Sequence, residues 1–263
     1  MMLAMGAAIF IVGAMIGSFL NVCILRLPKE ESIAFPGSHC FSCQKPIAWY
    51  DNIPILSYLI LGGKCRACKK GFSAQYPIVE AVTGGLFILF WRKFGLTPVG
   101  GVYLAFSLAL LVQSVIDARY KIIPDEITLP GMVLGLIASF VFPQLHGQAT
   151  HVAGFLSGLY GLLLGGGFLW VAGTLAEKIL KKEAMGGGDV KLLGVVGAII
   201  GMQGVLWTIF VSSVIGSIVG IYLRLRKGDE VIPFGPFLAI AAFLYLFIGP
   251  ACIQMYLHAL GRI

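Results

Sequence analysis

The sequence predicts an all-α polytopic membrane protein, and three observations carry that reading. Apolar residues make up 58% of the chain and charged residues only 12%, where a soluble domain carries about a quarter charged. Glycine is 35 of 263 residues, near double the usual share of about 7%, as suits helices that cross closely in a membrane. The apolar residues also fall in long runs with few charges. A soluble enzyme, a disordered chain and a collagen-like repeat are excluded. The excess of 19 basic over 12 acidic residues gives +7. In a soluble protein this would suggest nucleic acid; in a membrane protein it marks the cytoplasmic loops, and no nucleic-acid partner is expected.

Eight segments are predicted to cross, at about 1–25, 78–90, 99–116, 129–142, 152–176, 190–200, 205–223 and 234–257. The second, fourth and sixth are shorter than the ~20 residues of a full span. A Gly-Met-Gln-Gly break at 201–204 separates the sixth from the seventh. The triplet Gly165-Gly166-Gly167 is expected to bend the fifth. The first segment lacks a basic stretch before it and a small-residue cleavage site after it, so it reads as a retained span rather than a signal peptide. Gly13/Gly17, Gly154/Gly158, Gly161/Gly165 and Gly216/Gly220 repeat small residues every four positions and mark close crossings. With Arg26 in the cytoplasm, alternation leaves only Arg92, Lys93 and Arg262 of the 19 basic residues outside. That asymmetry is what the positive-inside rule expects. It puts both termini on the outer side of the membrane.

Between the first two spans lies a polar block. The chain therefore divides into a first helix (1–26), a small cytoplasmic domain (27–77) and a membrane core (78–263). The block contains Cys40-x2-Cys43 and, 21 residues on, Cys65-x2-Cys68. Two such pairs are a zinc signature, each presenting two thiolates to one ion. Four thiolates leave no open coordination position, so the zinc is expected to be structural. It would stabilise a block too small for a core of its own. Two disulfides are the alternative, disfavoured in a reducing cytoplasm. His39 is a possible substitute ligand. Cys23 and Cys252 lie in apolar runs and read as packing residues.

Acidic residues are few. Asp117 ends the third span and Asp189, after three glycines, opens the sixth. Each has a plain reading: Asp117 as an ion-pair partner of Arg119 or Lys121, Asp189 as a helix N-cap. Together they suggest more. Two carboxylates meeting in a low-dielectric site share a proton, so one can activate water while the other protonates a leaving group. Asp125 and Glu126 are rival members of such a dyad, and spacing alone leaves the choice open.

The chain resembles bacterial type IV prepilin peptidases, membrane aspartic peptidases with a GxGD motif. The resemblance rests on Gly17-Ser-Phe-Leu-Asn-Val with Arg26-Leu-Pro, the double CxxC, and Asp51-Asn-Ile-Pro-Ile-Leu-Ser-Tyr. It continues through Tyr76-Pro-Ile-Val-Glu80, Ile116-Asp-x5-Ile-Pro-Asp125 and Met185-Gly-Gly-Gly-Asp-Val-Lys-Leu-Leu193. It implies that Asp117 and Asp189 are the catalytic pair, with Asp125 outside it. It also implies cleavage of prepilin and pseudopilin leaders after a glycine, then N-methylation of the new terminus with S-adenosylmethionine. The cysteine block and Glu80 are expected to serve the methyl transfer, Glu80 by holding an ammonium group. No glycine-rich dinucleotide loop marks a donor pocket. Three rival readings are an ion- or proton-coupled transporter using Asp117 and Asp189, a catalytically silent assembly factor, and a peptidase that does not methylate. The sequence leaves the oligomeric state open.

Overall fold

The computed structural model describes residues 2–181, 186–227 and 232–259. Met185 of the glycine motif and Arg262 of the outer loops lie outside the described residues. The described residues are helical, with two isolated bridges and no strand. Two compact units divide the chain, Met1–Gly100 and Gly101–Ile263.

In the first unit, α1 (Met2–Arg26) packs on α3 (Gln75–Phe94). Glycines set their approach: a Cβ on Gly17 would stand 2.7 Å from the Glu80 Cα, and one on Gly13 2.9 Å from the Gly84 Cα. Between them runs the cysteine block, with one short helix, α2 (Leu56–Ile60).

The second unit is built on α4 (Pro98–Tyr120), α5 (Asp125–Val141), α6 (His151–Leu180), α7 (Gly187–Lys227) and α8 (Gly235–Ala259). The sixth and seventh expected segments are the two arms of α7, which breaks at Gly201 (φ 69°, ψ −173°). That conformation is open to glycine and strained for residues with a Cβ. α6 and α7 cross most tightly at Gly161 and Gly197, where a Cβ on either would collide with the other's carbonyl. The expected bend at Gly165–Gly167 brings no break in the hydrogen-bonded helix, which runs on from His151 to Leu180. Gly165 instead admits the Leu193 carbonyl, making the glycine a contact rather than a hinge.

Among the described residues five helices, α1, α4, α6, α7 and α8, are long and apolar enough to cross a membrane. α3 and α5 are shorter, at 20 and 17 residues. Large side chains such as Leu163, Trp170, Phe210 and Ile218 point outward, as hydrocarbon allows and water does not.

Candidate active site and metal centre

The cysteine block folds as two copies of one turn. Cys40 N–H donates to the Lys45 carbonyl and Gln44 N–H returns to Cys40; Cys65 and Lys69 repeat the pattern with Lys70. Gln44 (φ 58°) and Lys69 (φ 59°) both take the left-handed conformation that closes the knuckle. The four sulfurs lie within 4.8 Å of one another, and Cys40 Sγ is 3.8 Å from Cys68 Sγ. A tetrahedron with Zn–S bonds of about 2.3 Å has edges of about 3.8 Å, so the cluster fits a four-thiolate metal site.

The cysteines form no disulfide among the described residues. Backbone N–H groups of Cys43 and Ser42 pull the Cys40 thiol down to about 6. Although the Lys70 amide opposes it, burial among the other thiols pushes Cys68 up to about 11. Four crowded thiols cannot all ionise without a cation between them, which a metal ion supplies. His39 is turned to the Gly37 carbonyl through Nδ1 and is not in the cluster. Arg66, between the second pair of cysteines, grips both oxygens of Asp51, the closest at 2.6 Å. That guanidinium holds the Asp51 carboxyl below the usual aspartate range.

Glu80 lies on α3 and is 6% exposed. It carries neither of the roles a lone glutamate there would suggest, cap or lysine partner. Its Oε2 accepts the Ile55 N–H at 2.7 Å, and the Ser18 hydroxyl bonds the same carboxylate. Ile55 sits at φ 61°, a strained setting for a β-branched residue. The loop is thus held in an unusual shape that aims an amide at Glu80.

In the second unit, Asp117 occupies the last turn of α4 and is 6% exposed. Its Oδ2 accepts the Gly235 N–H at 3.0 Å. Gly235 and Pro236 open α8, so this amide is one of the donors that a helix start leaves without an internal partner. Neither Arg119 nor Lys121 pairs with Asp117 among the described residues. Lys121 (φ 58°) instead ends the helix, its N–H on the Asp117 carbonyl. Asp189 stands inside the first turn of α7 rather than at its cap, where the helix dipole favours an acidic group.

Ile123 links the two aspartates' surroundings. Its Cδ1 is 3.2 Å from the Cβ position of Gly235, and its Cβ is 2.9 Å from that of Gly188. Gly235 is bonded to Asp117 and Gly188 precedes Asp189, so the two aspartates stand on either side of Ile123. Asp125 is held elsewhere: both its oxygens engage Lys191, at 2.7 and 2.8 Å. Glu126 is exposed. Sequence reasoning missed Gly235, Ile123 and Lys191 as neighbours of the pair, and Ile55 and Ser18 as those of Glu80. Only the Gly-Pro helix start carried any signal.

Several long apolar helices, with a buried aspartate at the end of one of them, place the molecule among multi-pass membrane proteins. The bacterial peptidase A24 N-terminal domain matches residues 11–94, and the type IV leader peptidase family matches residues 104–221. Similar curated proteins include the prepilin leader peptidase/N-methyltransferase of Pseudomonas aeruginosa, 37% identical over 95% of this chain and 93% of the relative. That of Xanthomonas campestris pv. campestris is 36% identical over 95% and 93%, and that of Aeromonas salmonicida 34% over 96% and 94%. No solved structure matches. The chain belongs to the type IV leader peptidase family. The transporter reading is thereby set aside.

Proposed function

We propose that this protein removes the leader of prepilins and pseudopilins after a glycine, and then N-methylates the exposed terminus using S-adenosylmethionine. Family membership supports the two activities, and one observation carries the first. Asp117 and Asp189, from helix ends 72 positions apart in sequence, are brought to the two sides of Ile123, which packs on Gly188 beside one and on Gly235 beside the other. One takes a proton from water as it attacks the scissile carbonyl, and the other gives a proton to the departing amide nitrogen. Gly235 fixes the orientation of Asp117 through its N–H. Asp125 is engaged with Lys191 and stays outside the chemistry.

Cys40, Cys43, Cys65 and Cys68 would hold a structural zinc ion that cross-links the two knuckles. We assign the chain eight crossings of the bacterial inner membrane. Both termini lie outside, and the aspartates and the cysteine block face the cytoplasm. Glu80 belongs to the methyl-transfer part, in the first unit.

The test is a mass spectrum of a prepilin incubated with the purified protein and S-adenosylmethionine. Loss of the leader with gain of one methyl group is expected. Several prepilins left intact would refute the peptidase reading, and leader loss without methyl gain would refute the second activity.

A further inference from the structure

The first unit holds an open cleft of about 370 Å³, within the range of about 300–1,000 Å³ usual for small-molecule sites. Val22 of α1, with Leu61 and Phe72 of the cysteine block, supplies apolar wall. Ser18, Lys64 and Glu80 bring polar groups to it. Glu80 is nine-tenths buried, and the partners found for its carboxylate are neutral, the Ile55 amide and the Ser18 hydroxyl. No cationic side chain pairs with it among the described residues. A buried carboxylate without a cation is costly. Its place in the wall of a cavity supplies the reason to keep it: a ligand brings the positive charge. Lys64 likewise forms no ion pair among the described residues and is available to an anionic group. The complementary ligand carries a cationic group for Glu80, an anionic group for Lys64 and an apolar part for the wall.

We infer that this cavity is the methyl-donor site. Glu80 receives the cationic methionine end of S-adenosylmethionine, Lys64 its carboxylate, and Phe72, Val22 and Leu61 enclose the adenosine. The inference rests on the methyl-transfer reading above and gives it a place. A phenylalanine terminus offers the same ammonium but, being joined to the rest of a polypeptide, brings no free carboxylate for Lys64.

The experiment is equilibrium dialysis of the full-length protein in nanodiscs against radiolabelled S-adenosylmethionine. Wild type is compared with Glu80→Gln and Lys64→Gln, with zinc content and circular dichroism checked for each. Lys64 is exposed, so its variant keeps the test open should Glu80→Gln fail to fold. Tenfold or greater loss of binding in a folded variant is expected. Wild-type affinity in the folded variants would overturn the assignment. So would competitive displacement of the donor by a peptide with a free phenylalanine terminus whose own binding falls in the same variants, which would give the cavity to the acceptor amine. A wild-type protein that neither binds nor consumes the donor would instead remove the methyl-transfer reading itself.

Discussion

The cysteines of the first unit and the aspartates of the second are both small sets of side chains brought to one point, by opposite routes. Each cysteine knuckle is closed by its own local hydrogen bonds, from Cys40 to Lys45 and from Cys65 to Lys70. Only the joining of two such turns is long-range, and a metal ion can supply it. The aspartates have no local device. Asp117 is fixed by an amide 118 residues away, and its meeting with Asp189 depends on where three helices begin and end. A cluster of the first kind survives distortion of the surrounding fold as long as the metal stays. One of the second kind is lost when a helix end moves.

The largest effect should come from the pair itself. Asp117→Asn or Asp189→Asn should lower leader cleavage at least ~10³-fold, with the protein still folded by circular dichroism and still carrying zinc. Cleavage surviving both changes would sink the dyad. Asp125→Asn should stay within a few-fold of wild type, because that carboxylate is committed to Lys191.

Next come the cysteines. Cys40→Ser or Cys68→Ser should abolish stoichiometric zinc, measured by atomic emission on protein purified without chelator. Methyl transfer should fall with it, while cleavage persists. If cleavage disappeared in step with zinc, the contrast between a metal-held and a helix-held cluster would fail.

The contrast is sharpened by Gly235. A Cβ there would stand 2.7 Å from Asp117 Oδ2 and 3.2 Å from Ile123 Cδ1. Gly235→Ala should therefore displace the carboxylate without emptying any core position. A shift of about 1 Å in a reacting group can cost ~10²-fold, so a 10- to 100-fold fall in kcat with little change in KM is expected from steady-state kinetics.

What could be read from the sequence follows the same division. The knuckles were legible because ligand spacing is a local property. The long helices were legible because apolar runs are, and the break at Gly201 because glycine marks it. The count of crossings was harder, since α5 has only 17 residues and α3, though 20 long, carries Glu80, Arg92 and Lys93. Choosing Asp117 over Asp125 required either a family resemblance or the fold. Both sit by the same loop, and what separates them is Lys191 and Gly235, distant partners that no spacing reveals. The triplet at Gly165–Gly167 shows a related limit: glycine permits a bend, but it also admits a close neighbour, and at Gly165 that neighbour is the Leu193 carbonyl of α7.

The smallest effect tests the local side of the comparison. Arg66 lies between two cysteines and holds Asp51 in the loop that leads to α2. Arg66 is more than half exposed although Asp51 is 11% exposed, and a partly solvated pair contributes little, so Asp51→Asn should leave zinc binding intact and lower the melting temperature by only a few degrees. The sign with pH follows from the depressed carboxyl. A group ionising more readily in the folded state stabilises it above its unfolded pKa of about 3.9, and that contribution is lost as the pH falls through the lower folded value. The difference between wild type and Asp51→Asn should accordingly be present at pH 7 and shrink to nothing in strong acid, in paired thermal melts. A large loss of zinc in this variant at neutral pH would mean that the knuckles are not self-sufficient, and that the first unit, like the second, depends on contacts far along the chain.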